Sequence, residues 1–137
     1  LPTSGKVMNT VNRPDRAGVV AIARRFHEMG FGLVTTAGTG RYLAERGVPS
    51  TRAYKVSEGR PNGIDLMVNG EIQLLINTPL GKSAQHDDYI MRAAAIANHV
   101  PYTTTLSGAS AACDAILSLR EHPREVRTIQ EWQEMIP

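Results

Sequence analysis

The chain has 137 residues, 42% of them apolar, 20% charged and 5% aromatic, the composition of one soluble globular domain over 1–137; area scaling buries about two-thirds of the unfolded surface without disulfide or metal staples. Fifteen Lys and Arg against 13 Asp and Glu leave a net charge of +2, with the basic residues scattered, which argues against nucleic acid as a partner. No apolar run approaches the about 18 residues of a membrane span, and the lone Cys113 forbids an intramolecular disulfide and points to a reducing compartment.

Short apolar or β-branched runs alternate with segments of helical period. Lys6 to Val11, between Gly5 and Pro14, reads as a strand. Val19, Ile22, Ala23, Phe26 and Met29 then make one apolar stripe on a helix from about Asp15 to Met29, which Gly30 stops. Phe31 to Thr36 reads as a second strand, Thr39 to Arg46 as a short helix ending at Gly47, and Thr51 to Val56 as a third strand. Asn62 to Val68 is a short helix or turn. Ile72 to Asn77 is the clearest buried strand, followed across Pro79 and Gly81 by a helix from about Ser83 to Asn98, whose Ala93, Ala94 and Ala97 permit close approach to a sheet. Pro101 to Thr104 reads as a fifth strand and Ser107 to Leu119 as its helix; Val126 to Met135 is expected to add an edge strand and a terminal helix, with Trp132 as a clamp.

Strand and helix alternating five times call for an α/β fold: a doubly wound, Rossmann-like parallel sheet of about five strands, with helices on both faces because parallel crossovers travel over the faces. Ligands in such sheets sit beyond the carboxyl ends of the strands. At those places stand Thr36-Ala-Gly-Thr-Gly40, Lys55-Val-Ser-Glu-Gly-Arg-Pro61, Asn77-Thr-Pro-Leu-Gly-Lys-Ser83 and Thr103-Thr-Thr-Leu-Ser-Gly108, all rich in Gly, hydroxyls, amide or cations.

Two motifs fail. A P-loop needs Gly five positions before Gly81-Lys82-Ser83, where Ile76 stands, and a dinucleotide fingerprint from Gly38 and Gly40 needs a third Gly at Leu43. What remains suits a phosphate monoester. Thr36, Gly38 and Thr39 lie where a strand turns into a helix, so backbone N–H groups and hydroxyls can meet an anion at the positive end of the helix dipole. Lys55 leaves the neighbouring strand and Arg16 begins the first helix, either able to neutralise phosphate. The competing reading is that Thr36 and Thr39 merely cap the helix, Lys55 and Arg16 are solvated, and Asn77 is a satisfied strand end. His27, His86, His99 and His122 show no metal spacing with Cys113, whose place on an Ala-rich helix suits a buried, inert thiol. Asp87 and Asp88 point about 100° apart on a helix, so at most one of them is expected to face the cleft.

Together, Phe31 to Thr39, Lys55 to Pro61, Leu75 to Gly81 and Tyr102 to Gly108 resemble the methylglyoxal-synthase-like domain, and more narrowly its version at the carboxyl end of carbamoyl phosphate synthase large chains. The resemblance runs from about residue 5 to 133. It implies a regulatory, non-catalytic domain that is cytoplasmic, free of cofactor and metal, and cut from a longer chain, which the start at Leu1 rather than Met also suggests. The implied parent uses ATP with Mg or Mn and glutamine to make carbamoyl phosphate for pyrimidine and arginine biosynthesis. UMP and IMP are the implied effectors, with ornithine as a further one. The implied protein partners are the catalytic core of the large chain and the small glutaminase subunit. Carried over by position, phosphate contacts fall on Arg16, Thr36, Gly38, Thr39 and Lys55, Asn77 and Thr78 lie beside the nucleotide, Asp87 is a ribose partner, and Thr104 lies at the ornithine border.

Three departures matter. Arg16 stands where the family often has Lys, and Pro79 replaces a second hydroxyl of some bacterial members. The stretch Pro79 to Ser83 lacks the aspartate that true methylglyoxal synthases place after their glycines, which speaks against the alternative of a stand-alone lyase acting on dihydroxyacetone phosphate.

Overall fold

A computed structural model describes residues 1–56, 58–79 and 85–122; the expected strand and helix within Val126 to Met135 lie outside them. In chain order the elements are β1 (Lys6–Thr10), a 3-10 turn (Arg13–Asp15), α1 (Arg16–Glu28), β2 (Gly32–Thr35), α2 (Ala37–Ala44), β3 (Thr51–Arg52), α3 (Gly63–Val68), β4 (Leu74–Asn77), α4 (Gln85–Ala97), β5 (Tyr102–Thr103) and α5 (Leu106–Glu121). The strands form one parallel sheet in the order β3-β2-β1-β4-β5.

Strand alternation divides the core in two. Val7, Leu33, Leu74 and Ile76 meet α1, α2 and α5 through Phe26, Leu43, Cys113 and Ile116. Met8, Val34 and Leu75 face the other way, onto Met67 of α3 and Met91 and Ala95 of α4. A period of two in the strands thus feeds two helical layers, and each large side chain fully buried there contributes about 1.5–3 kcal/mol.

Two expectations shift at the site. The third strand ends at Arg52 rather than Val56: Ala53 N–H still reaches Thr35 O, but Tyr54 N–H turns to Pro61 O at 3.0 Å, so the chain leaves the sheet to bridge Asn62. The second helix starts at Ala37, not Thr39, which makes Thr36 its N-cap and puts Thr39 in its first turn.

Candidate functional site

After β3 the chain crosses β1 to build β4 on its far side, so the sheet changes winding direction between β1 and β4. The strand ends gape there. A cleft opens at this point, with Met8, Gly63 and Met91 as its apolar bed. Gly63 lies close under both methionines: a Cβ on it would stand 2.5 Å from Met91 Cε and 2.7 Å from Met8 Sδ, so the ends of both side chains would have to shift.

One wall carries donors and cations. It includes Thr36, Tyr54 and Lys55. The Thr36 side chain makes no capping bond. Thr39 is 1% exposed and its Oγ1 has no hydrogen-bond partner among the described residues. Neither hydroxyl caps α2. Arg16, the first residue of α1, lays its guanidinium across Gly38; a Cβ on Gly38 would lie 3.1 Å from Cζ and 3.4 Å from Nη1, and nearer still to Nη2. Arg16 Nε is buried and also unpartnered. A cation resting on the positive end of a helix, beside unpaired donors, is a costly arrangement that an anion would relieve. Lys55 is exposed and, among the described residues, forms no ion pair; its backbone alone is engaged, the N–H donating to Glu58 Oε1 at 3.0 Å and the carbonyl accepting from Glu58 N–H at 2.9 Å.

The opposite wall carries acceptors. Both Asp87 and Asp88 line the cleft, against the expectation that at most one would. The cleft wraps the first turn of α4, so it touches two adjacent positions: Asp87 half-buried and Asp88 at 3% exposure. Between the walls Asn77 is fully buried, its Nδ2 donating to Thr10 Oγ1 at 2.7 Å and to Asp88 Oδ1 at 3.3 Å, while Arg92 Nη1 donates to its Oδ1 at 3.3 Å.

Of the expected site residues, Thr36, Lys55, Asn77 and Asp87 line the cleft, whereas Arg16, Gly38 and Thr39 form the corner behind Thr36, and Thr78 and Thr104 stand apart from the lining. Thr78, 1% exposed, accepts from Asn12 N–H at 2.9 Å and gives its own N–H to Thr10 O at 3.1 Å. It ties β4 to the loop before α1. Asn12 in turn receives Asp15 N–H at 2.8 Å and donates to Pro79 O at 2.9 Å, which fixes the 3-10 turn that launches Arg16. Thr104 is exposed beyond the end of β5. Sequence reasoning missed Thr10, Asn12 and Arg92. Thr10 closes the first strand, and the strand-end rule applied there finds it; the others partner residues distant in sequence, and no local pattern marks them.

Burial raises the Cys113 thiol, whose first cause is desolvation, so it stays protonated and inert. Among the described residues no three His, Cys, Asp or Glu stand together as metal ligands, and no helix is long and apolar enough to cross a membrane.

The model of the family described as MGS-like domain matches residues 18–104, a span that holds all of the cleft lining except Met8 and Thr10. The chain belongs to the MGS-like domain family. It is 50% identical over 99% of its length to a carbamoyl phosphate synthase large chain of Gemmatimonas aurantiaca, of which it spans 12%. Over 96% of its length it is 45% identical to the large chain of Myxococcus xanthus, of which it also spans 12%. The same share is 40% identical to a large chain, C-terminal section, of Aquifex aeolicus, 25% of which it covers. A methylglyoxal synthase structure from Elizabethkingia anophelis superposes with a TM-score of 0.66 at 19% identity, over 86% of this MGS-like domain and 80% of that chain. That likeness is one of fold, and it agrees with the five-stranded parallel sheet.

Proposed function

We propose that this MGS-like domain is the regulatory module of a carbamoyl phosphate synthase large chain and that its cleft takes the phosphate of a nucleoside monophosphate, UMP or IMP. The observation that carries the reading is the pair of buried, unpartnered polar atoms at the start of α2, Thr39 Oγ1 and Arg16 Nε. Buried donors are almost always paired, so this corner is built for a guest that accepts several hydrogen bonds. Lys55 and the free N–H groups of the first turn add charge and direction. Asp87 and Asn77 on the far side suit the hydroxyls of a sugar. Thr78 then acts by holding the Arg16 loop.

In this reading residues 1–137 are one domain from the carboxyl end of a cytoplasmic enzyme. The catalytic core of that chain and its small glutaminase subunit are the partners, ATP with Mg or Mn serves the core, and exposed Thr104 meets ornithine at the border. Effector binding acts by favouring one of two states of the parent enzyme.

Calorimetric titration of the chain with UMP, IMP and inorganic phosphate tests the proposal. Binding of a nucleotide with phosphate as a competitor is expected; indifference to all three at millimolar concentration overturns it. The acidic wall supports a second reading, a lyase with a carboxylate base beside a small phosphorylated substrate. Release of phosphate from dihydroxyacetone phosphate by the purified chain decides for the lyase.

A further inference from the structure

Asn77 has a carboxamide that can face either way, and its neighbours leave it one choice. The guanidinium of Arg92, 3.3 Å away, only donates, so the atom facing it is the amide oxygen. Asp88 Oδ1, as a carboxylate oxygen, accepts, so the atom 3.3 Å from it is the amide nitrogen. The second hydrogen of that nitrogen goes to Thr10 Oγ1 at 2.7 Å, and the Thr10 hydroxyl passes its own hydrogen to Ile76 O at 3.4 Å. The side-chain donors of Thr10 and Asn77 are therefore consumed. What Asn77 retains is one lone pair on Oδ1.

The cleft is in consequence divided by hydrogen-bonding sense. The wall of Thr36, Lys55 and the start of α2 offers donors and positive charge, and the floor and far wall, Asn77 Oδ1 with Asp87, offer acceptors. We propose that Arg92 and Asp88 are positioning residues that lock the Asn77 amide with its oxygen available, so that this half of the cleft selects ligands presenting hydroxyl or N–H donors. This rests on the nucleotide reading above, in which the donors are the ribose hydroxyls. Arg92 itself need touch no ligand. It sets the polarity of a residue that does.

The experiment is titration of the folded chain with UMP, with its 2′,3′-dideoxy counterpart and with inorganic phosphate. The unaltered chain is expected to prefer UMP over the dideoxy compound about tenfold, the size of one net hydrogen bond. In Arg92→Met the amide oxygen loses the donor that fixes it and only Asp88 holds the orientation, so that preference is expected to fall while phosphate affinity holds within about twofold; Arg92→Lys, still a donor, keeps part of it. Should Arg92→Met fail to fold, Asp88→Asn serves, since it removes the obligatory acceptor and is expected to weaken the same preference. A folded variant with undiminished preference overturns the inference and leaves the phosphate site standing. An unaltered chain that binds neither UMP nor phosphate removes the proposed function and this inference with it.

Discussion

Gly38 shows at the scale of one residue how the proposed anion corner is assembled. Its α carbon is the surface on which the Arg16 guanidinium rests, and a methyl group there would meet Cζ at 3.1 Å. The position is helical, so alanine suits the backbone and gains about 1 kcal/mol in helix propensity if the arginine can move aside. Gly38→Ala is thus expected to hold or raise the thermal midpoint while weakening phosphate binding about tenfold through displacement of one charged contact. A calorimetric titration beside a melting curve checks both halves; a variant that binds phosphate as before would show that Arg16 is not part of the site. The pattern of hydroxyls, glycine and cations here is legible in the sequence because strand ends and helix starts are local features. The Asn77 network is not, since Thr10 lies 67 residues and Arg92 15 residues from the amide they bracket. Nothing in either stretch says that the two will meet.

Helix ends are where local chemistry speaks most clearly, and four helices finish alike. After α1, α2 and α3 a glycine of positive φ, Gly30, Gly47 and Gly70, returns its N–H three residues back while the next residue reaches five back, as from Phe31 to Phe26 O at 3.0 Å. After α4 the same pair of bonds is made by His99 and Val100, with His99 at φ 56. A side chain in the left-handed region costs about 1–2 kcal/mol, partly offset by the greater freedom glycine has when unfolded. His99→Gly is therefore expected to stabilise the fold by about 0.5–1 kcal/mol, measured by denaturant titration. The start of α3 is held by a capping box: Asn62 Oδ1 accepts from Ile64 and Asp65 N–H, and Asp65 Oδ2 accepts from Asn62 N–H at 2.9 Å. The Arg60 hydrogen bond, then that backbone N–H, holds the Asp65 carboxyl below the usual carboxylate range. A depressed pKa contributes stability above the unfolded value of about 4 and loses it as pH falls through the lower folded value. Asp65→Asn should therefore melt below the unaltered chain near neutrality, with the gap closing in acid; a gap independent of pH would deny the carboxylate this role. Where the sequence misleads is the third strand, because β-branched alternation reads the same whether the chain continues along the sheet edge or, as Tyr54 does, turns to pair with its own loop.

Across the whole molecule the sheet was readable from five alternations of period, while its closure depends on contacts between distant segments. Arg120 near the end of α5 donates to Thr3 O and to Met29 O at 2.6 Å, its guanidinium 5.0 Å above the Phe31 ring. One side chain thus joins the chain start, the end of α1 and the last helix. The proposed ligand corner draws on segments distant in the chain in the same way: Arg16 from α1, the first turn of α2, Lys55 after β3, and Asn77 from β4. An anion bound there links segments that separate on unfolding, and binding to the folded state alone adds RT ln(1 + [L]/Kd), about 1.4 kcal/mol at ten times Kd. For a domain of this length that is a rise of about 3–8 °C in Tm. Inorganic phosphate is expected to produce it where chloride at equal ionic strength does not. Lys55→Ala, which breaks no ion pair among the described residues, should leave the unliganded midpoint in place and shrink the rise. Equal shifts with phosphate and chloride would mean general screening of a net charge of +2 rather than occupancy of the cleft, because screening acts on all charges and needs none of these four elements to converge.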